Sequence, residues 1–163
     1  ERMLHVYGGD EGHLVPILSY PVKGQSGELG PKLREGDRQV PEGIYQIEGL
    51  NPNSNFYVSM RLNYPNDWDL QKASKEGRDQ PGSDIYIHGQ SASVGCLAMG
   101  DPAIEELFTL VADVGVDHVR VIIAPVDFRT YSGETELPQS PPWISALYTT
   151  IRTELGALKG PNS

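Results

Sequence analysis

The strictest pattern in this sequence is an alternation of apolar and polar residues from Phe56 to Tyr64, which Pro65 closes. Side chains of a β-strand point to opposite faces in turn, so a period of two predicts a strand with one buried face. The 18 glycines and 13 prolines divide much of the remaining chain into short segments, and both residue types favour turns. We therefore expect a mainly β fold of α+β character.

Several other segments predict strands around this one. Residues 3–7 and 14–20 flank a glycine-rich turn at residues 8–12, which predicts a hairpin at one edge of a sheet. Further strands are expected at residues 44–47, 84–88 and 119–124. Residues 24–43 are typical of a structured loop, and the polar, charged residues 66–82 are typical of an irregular excursion.

Two segments predict helices. Asp101 can cap a helix that starts at Pro102, continues with apolar residues at helical spacing and stops near Gly115. Residues 143–158 are also expected to be helical, after a polar, proline-containing linker at residues 134–142. The chain is thus divided into one unit of residues 1–130 and a linker with a helical extension, residues 131–163, which we expect to pack on the same unit.

Length and charge limit the classes of function. At 163 residues the chain can bury a core without disulfides or metals. A net charge of -9 makes nucleic acid and anionic membrane surfaces poor partners, because both require a basic face. No apolar run is long enough for a membrane span, and the first residues lack a signal-peptide core. We expect an export signal to have been removed.

The only cysteine of the chain follows a histidine closely. His88 ends a predicted strand, Gly89 comes next, and Cys96 lies in the small-residue loop that follows. A thiol near an imidazole can lose its proton at neutral pH and attack a carbonyl. The strand end can hold one ring nitrogen toward the thiol and the other on a backbone carbonyl, which sets the tautomer. The pattern favours a cysteine nucleophile with His88 as its base, over a structural thiol and a sheet histidine.

Other kinds of chemistry find little support in the sequence. The backbone N–H groups of Gly95 and Cys96 are the expected donors to a developing oxyanion. One cysteine with one nearby histidine lacks the ligand spacing of zinc sites, so we expect no metal and no cofactor. Phosphate-binding loops and G-x-S-x-G elbows are missing from the sequence. His5 and His13 are expected on the hairpin surface and His118 at the start of a strand.

A series of short motifs in fixed order resembles the L,D-transpeptidase (YkuD) catalytic domain family, and within it the YafK-like branch. The resemblance covers roughly residues 18–128. Its motifs are GPKLREGD at residues 30–37, PEGIY at 41–45, LNPNS at 50–54, YPN at 64–66, IHG at 87–89, SVGC at 93–96 and MGDP at 99–102. Within the family pattern, His88 matches the upstream base, Ser93 the Ser/Thr position, and Gly95 with Cys96 the Gly-Cys pair.

The resemblance implies a fold and a reaction. The fold is a curved β-sandwich or barrel-like core with a few flanking helices. The implied reaction is attack of Cys96 on the carbonyl of the L-centre of meso-diaminopimelate in a peptidoglycan stem peptide, which forms a thioester. His88 takes the thiol proton and Ser93 supports the loop. The implied location is periplasmic or otherwise outside the cytoplasm.

Two departures from the family pattern bear on the acceptor. Val94 replaces a second histidine and Ala98 replaces a polar residue. In addition, the segment from His88 to Cys96 is shorter than in the classical enzymes of the family. These features suit the YafK-like branch, whose members are associated with hydrolytic release of a peptidoglycan-bound lipoprotein. The resemblance therefore favours water as acceptor. The alternative is an amine acceptor, which gives 3→3 cross-links or attaches a lipoprotein.

Further expectations concern substrate contacts and partners. Lys32 and Tyr64 are the predicted substrate-binding residues. A cation such as Lys32 suits anionic stem peptides, whereas Tyr64 shares the apolar strand face, so a core position is its alternative; Arg34 and Arg61 are more typical of solvated surface charges. Stem peptides and a peptidoglycan-linked lipoprotein are the expected partners of a monomeric chain. Two rival hypotheses keep the fold but change the role: a non-catalytic wall-binding module, and a secreted effector that attacks a competitor's wall.

Overall fold

A computed structural model of the chain describes residues 2–10 and 12–158. Two sheets and three helices make up this mainly β fold, whose larger sheet is curved. The strands are β1 (Met3–Asp10), β2 (His13–Pro21), β3 (Gly43–Ser54), β4 (Tyr57–Leu62), β5 (Tyr86–His88), β6 (Leu97–Ala98) and β7 (Arg120–Ile123), and the helices are α1 (Asp67–Lys75), α2 (Asp101–Val114) and α3 (Ile144–Gly156). The predicted fold class is confirmed.

The five-stranded sheet has the order β6-β5-β4-β3-β7. Its neighbours pair antiparallel except β5 and β6, which run parallel. Met60 and Leu62 of the alternating strand are buried, as predicted, and pack with Ile87 of β5 and Ile104 of α2 in the main core. The strand predicted at residues 44–47 is longer, because the polar residues after it continue the pairing with β4. One face of this sheet therefore packs against the main core.

The predicted β1–β2 hairpin exists, with Glu11 of its turn outside the described residues. The prediction placed the hairpin at one edge of a sheet, and its two strands form a two-stranded sheet of their own. Side chains attach the hairpin to the main body. The Tyr20 hydroxyl donates to Glu106 of α2, and the Arg129 guanidinium donates to the Tyr7 hydroxyl at 2.7 Å. The residues that follow β2 also pair with β6 through backbone atoms, since Ala98 donates to the Gly24 carbonyl at 2.9 Å and its own carbonyl accepts the Lys23 N–H at 2.8 Å.

Helix α1 corrects the prediction of an irregular excursion at residues 66–82 for its first half, while residues 76–82 are irregular. Asn66 caps it by accepting the Asp69 N–H at 3.0 Å, and the Asp69 carboxylate accepts the Asn66 N–H at 3.0 Å. This reciprocal pair is a capping box, which satisfies two N–H groups that a helix start leaves open. Ala73 is the side chain that α1 buries. A short polar helix with so narrow an apolar face is easily mistaken for a loop.

Helix α2 is confirmed, including Pro102 in its first turn and the stop at Gly115, but its cap is not the predicted one. Gly100 is the N-cap, and Asp101 is already the first helical residue. The Asp101 carboxylate accepts the Gln90 N–H at 2.7 Å instead of capping the helix. His118 lies in a 3-10 turn (Val116–His118) before β7 and not in the strand. Asp101 therefore joins α2 to the residues that follow His88.

Helix α3 is confirmed within the predicted residues 143–158. Its Ile144, Leu147, Tyr148 and Ile151 are buried in a second apolar cluster together with Phe128. The predicted extension of residues 131–163 includes residues 159–163, which lie outside the described residues. Because Phe128 lies before residue 130, α3 packs on the first unit. The division of the chain at residue 130 stays a prediction.

Candidate active site

Cys96 lies directly before β6, at the outer edge of the main sheet. Ile87 pairs with Leu97 and His88 with Ala98 in the parallel ladder. Because side chains alternate between faces, Cys96 and His88 project from the face opposite to buried Ile87 and Leu97. Gly95, which precedes the thiol, has a φ of 77°, a conformation that favours glycine. The local fold thus brings the predicted nucleophile and base to one face of two neighbouring strands.

The thiol is half-buried and held by backbone groups. The Tyr86 N–H donates to Cys96 Sγ at 3.4 Å, and Sγ lies 3.6 Å from the Asp84 carbonyl oxygen, to which it donates. Burial raises the pKa of Cys96 above its ordinary value, and the nearby Asp84 charge acts in the same direction. The Tyr86 N–H and the Lys32 charge oppose this rise. The resting side chain is therefore a thiol, and it needs a base to become a nucleophile.

His88 is 3% exposed, and both ring nitrogens have partners. Nδ1 lies 2.6 Å from the Gly89 carbonyl oxygen, and Nε2 lies 3.3 Å from Ser93 Oγ. A carbonyl can only accept, so Nδ1 carries the proton and the lone pair is on Nε2. The Phe56 ring covers the imidazole with 4.7 Å between ring centroids. This tautomer leaves Nε2 able to accept a proton.

The Ser93 hydroxyl, and not the thiol, is the side-chain partner of Nε2. Among the hydrogen bonds of residues 2–10 and 12–158, none joins Cys96 Sγ to His88. Ser93 donates to the nitrogen that a base would use, while the thiol donates to Asp84. Transfer of the thiol proton to His88 therefore requires both contacts to be exchanged.

The N–H of Gly95 is already bonded. It donates to Ser26 Oγ at 2.8 Å, and Ser26 in turn donates to the Arg38 carbonyl at 2.6 Å. Ser26 and Arg38 belong to residues 26–42, named here the supporting loop. An oxyanion role for the Gly95 N–H requires loss of the Ser26 bond, so in this conformation its observed function is to hold the loop before Cys96.

Close packing around residue 89 leaves room only for glycine. A Cβ atom there would lie 2.7 Å from Asp101 Oδ1 and 2.7 Å from the Phe56 carbonyl oxygen, distances that no side chain tolerates. Asp101 holds the next residue through the Gln90 N–H. Gly89 thus allows the carbonyl that fixes the His88 tautomer to be held firmly against α2.

Lys32 and Tyr64, the predicted substrate-binding residues, are both buried. Lys32 Nζ forms an ion pair with Asp37 at 2.6 Å and donates to the Arg34 carbonyl at 3.0 Å. The Tyr64 hydroxyl donates to the Pro81 carbonyl at 2.8 Å. Their contact with a substrate stays a prediction; in this structure the Lys32 side chain bonds within its own turn, residues 32–37, and the Tyr64 hydroxyl bonds to a residue outside the supporting loop.

Arg34 and Arg61 differ in their surroundings. Arg34 is exposed, whereas Arg61 pairs with Glu48 at 3.3 Å and Asp84 at 3.2 Å. The pair with Asp84 places the Arg61 cation next to Asp84, the residue whose carbonyl accepts from the Cys96 thiol.

Four residues of the site escaped prediction from the sequence: Ser26, Phe56, Asp84 and Tyr86. Asp84 and Tyr86 touch the thiol through backbone atoms, so their side-chain types carry no signal. Ser26 lies between Gly24 and Gly27, which indicates a tight turn but not its partner. The pairing of Ser26 with Gly95 depends on the tertiary fold.

Two other kinds of site, a metal centre and a membrane span, are not found in the described part of the chain. Within residues 2–10 and 12–158, no group of three or more His, Cys, Asp or Glu side chains could hold a metal ion. The helices of the same residues are too short or too polar to cross a membrane.

A family model and curated relatives both match this chain and agree on one family. The model of the YkuD family, the L,D-transpeptidase catalytic domain, matches residues 1–123. Proteins named "Putative L,D-transpeptidase YafK" from Escherichia coli K12 and O157:H7 are 35% identical over 132 residues, which are 77% of this chain and 50% of theirs. The chain thus spans about half the length of these curated relatives.

Two solved structures share the fold. The helical cell shape determining protein Pgp2 of Campylobacter jejuni (K307A mutant) superposes with a TM-score of 0.60 at 21% identity, over 93% of this chain and 50% of that one. Bd1075 of Bdellovibrio bacteriovorus superposes with a TM-score of 0.51 at 20% identity, over 95% of this chain and 50% of that one. At this level of identity the likeness establishes the architecture.

Proposed function

This chain belongs to the L,D-transpeptidase (YkuD) catalytic domain family, and on that premise we propose that it is a cysteine-dependent enzyme that modifies peptidoglycan outside the cytoplasm. Family membership supports the class of substrate. The 35% identity to the YafK proteins supports a place in their branch. Peptidoglycan lies outside the cytoplasmic membrane, which is why we place the reaction there.

The observation that carries the proposed chemistry is the pair of bonds on His88. The Gly89 carbonyl keeps the proton on Nδ1, so Nε2 is free to act as a base once Ser93 releases it. The thiol of Cys96, on the same sheet face, is the proposed source of that proton. A half-buried thiol whose pKa is raised by burial depends on such a base more than an exposed thiol does.

The proposed reaction has two halves. Nε2 of His88 takes the proton from Sγ, and the thiolate attacks the carbonyl carbon at the L-centre of meso-diaminopimelate. The tetrahedral intermediate collapses with cleavage of the C–N bond, and the leaving amine takes the proton from the imidazolium. A thioester on Cys96 remains. In the second half, His88 removes a proton from the acceptor as it attacks the thioester, and the thiol is restored.

Water is the acceptor that we favour. Val94, which stands in place of the second histidine of the family pattern, is 68% exposed beside the nucleophile. Ala98, in place of the polar residue, is fully buried and provides no group to bind an amine. These two positions support hydrolysis that releases a peptidoglycan-linked lipoprotein. Transfer to an amine, with 3→3 cross-links or lipoprotein attachment as the product, is the second candidate.

Digestion of purified sacculi tests both candidates. Sacculi that carry bound lipoprotein are incubated with the protein, and the muropeptides are analysed by mass spectrometry. Hydrolysis predicts loss of the lipoprotein-derived remnant, while transfer predicts new 3→3 dimers; Cys96→Ala should produce neither. Unchanged muropeptides with the wild-type chain would contradict the enzymatic proposal, and co-sedimentation with the sacculi in that case would favour a wall-binding module.

A further inference from the structure

A buried contact joins α3 to the part of the chain that the family model matches. Tyr148 of α3 lies after the matched residues 1–123, and its hydroxyl donates to Glu42 Oε2 at 2.8 Å. Tyr148 is buried among Phe128, Ile144, Leu147 and Ile151. The hydroxyl thus connects the second apolar cluster to the end of the supporting loop.

Glu42 uses both of its carboxylate oxygens inside the protein. Its side chain is buried, and Oε1 accepts the Gly30 N–H at 2.7 Å. Burial raises the pKa of Glu42, while the bonds from Gly30 and Tyr148 oppose that rise. A buried carboxylate with two internal donors holds those donors at fixed positions, because losing either bond leaves an unsatisfied polar group.

The supporting loop extends this fixed geometry from Gly30 to the site. Gln39 Oε1 accepts the Glu28 N–H at 2.7 Å, and Gln39 Nε2 lies 3.3 Å from the Gly30 carbonyl oxygen. Ser26 then donates to Arg38 and accepts the Gly95 N–H. Every step from Tyr148 to Gly95 is therefore a hydrogen bond or a short stretch of one loop.

We propose that Tyr148 and Glu42 are positioning residues for the nucleophile, acting through Gly30, Gln39 and Ser26 on Gly95 and thereby on Cys96. The inference rests on the proposed function only in taking Cys96 as the nucleophile. It gives the segment that contains α3 a part in the site, although α3 lies outside the residues that the family model matches.

Loss of the Tyr148 hydroxyl should affect the thiol in two opposite ways. A looser supporting loop exposes Cys96 to water, so the burial that raises the pKa of its thiol is reduced. Alkylation at pH 7 should then become faster. Turnover should fall, because a displaced Cys96 loop makes it harder for the thiol to reach His88 and the substrate together, and small misplacements of this kind cost about tenfold to a hundredfold in rate.

The test compares Tyr148→Phe with Tyr131→Phe. Tyr131 belongs to the same apolar cluster and donates to the Thr135 carbonyl, so its variant removes a tyrosine hydroxyl without touching the supporting loop. Iodoacetamide alkylation of Cys96 is followed by intact mass from pH 6 to pH 10, together with kcat and KM on sacculus-derived muropeptides. Circular dichroism checks that each variant is folded at the assay temperature.

We expect Tyr148→Phe to be alkylated several-fold faster at pH 7 and to have a kcat about tenfold lower, with an unchanged KM. The alkylation rate, kcat and KM of Tyr131→Phe should stay close to those of wild type. Glu42→Gln keeps the shape of the side chain but loses one acceptor. It should also raise the alkylation rate and lower kcat. Identical alkylation profiles in all variants would overturn the inference. Alkylation needs no substrate, so it decides this inference even if wild type shows no turnover on muropeptides.

Discussion

At the scale of single residues, the reactivity of Cys96 is set by opposing effects on one thiol. Burial and the Asp84 charge raise its pKa, and the Tyr86 N–H and the Lys32 charge lower it. Lys32 is held in place by Asp37 and the Arg34 carbonyl. Its most direct link to the chemistry is therefore electrostatic, through the field that it exerts on the thiol.

Removal of the Lys32 charge should raise the pKa of Cys96 further. The thiolate fraction falls at any pH below that pKa, so we expect Lys32→Met to slow iodoacetamide alkylation at pH 8. The rate should rise with pH in both proteins, with the midpoint at higher pH in the variant. Arg34→Met, with the same change of net charge at an exposed position, is the control. Equal midpoints for Lys32→Met and wild type would contradict this account.

The sequence points to residues whose side chains can carry chemistry, and not to residues that contact the site through their backbone. Cys96 and His88 could be proposed because thiol and imidazole groups are few in that segment, and Ser93 because it matches a position of the family pattern. The N–H of Tyr86 and the carbonyl of Asp84 are groups that nearly every residue has. The Ser26–Gly95 bond spans 69 residues of sequence, and no local pattern indicates such a contact.

At the scale of elements, the turn after His88 depends on a glycine that fits between α2 and the β3–β4 hairpin. Gly89→Ala should therefore lower the free energy of unfolding by about 1–3 kcal/mol, because a Cβ would overlap Asp101 and the Phe56 carbonyl. Urea unfolding of both proteins measures this difference.

Gly156→Ala is the matched control for that substitution. Gly156 has no atom within 4 Å of the added methyl group and ends helix α3, so its variant should be unchanged or more stable by up to about 1 kcal/mol. Equal stability of Gly89→Ala and wild type would show that the turn can relax, and would remove the packing argument.

The capping box of α1 contains a carboxyl group with an unusual pKa. Burial raises the pKa of Asp69 from 3.8 to about 6, against the opposing bonds from Asn66 and Tyr45. A raised pKa means that the folded state holds this proton more tightly, so the stabilisation is complete below pH 3.8 and is lost as pH rises through 6. A rise of this size corresponds to about 3 kcal/mol.

Asp69→Asn should therefore change how stability depends on pH. The variant keeps an oxygen acceptor without the charge, so we expect it to exceed wild type in unfolding free energy by about 1–3 kcal/mol at pH 7.5, and by much less at pH 4. Urea unfolding at the two pH values measures the difference, with Asp67→Asn, an exposed position in the same helix turn, as control. The same difference at both pH values would refute the assignment.

At the scale of the whole molecule, long periodic elements were predictable and their arrangement was not. The alternation in β4 and the apolar spacing of α2 and α3 reflect burial against a core, which the sequence records directly. The separate β1–β2 sheet depends on contacts such as Tyr20 with Glu106, and α1 depends on a two-residue capping box. Contacts of this kind involve single side chains and leave no period in the sequence.

The whole molecule also presents a site in its resting form. The thiol donates to Asp84 while Ser93 donates to His88, and the supporting loop fixes Gly95 from the other side. Formation of an acyl-enzyme requires the thiol and the imidazole to replace these partners with each other. The proposed role of Cys96 as nucleophile therefore requires that Cys96 becomes acylated.

Intact-mass spectrometry tests that claim most directly. The wild-type chain, Cys96→Ala and His88→Ala are each incubated with a carbapenem, an acylating inhibitor typical of the family, and peptide mapping locates any adduct. If Cys96 is the nucleophile and His88 its base, we expect one adduct on Cys96 in wild type, none in Cys96→Ala, and acylation slowed by about a hundredfold or more in His88→Ala. A wild-type chain that stays unmodified, or an adduct of equal yield in Cys96→Ala, would contradict the proposed role of Cys96.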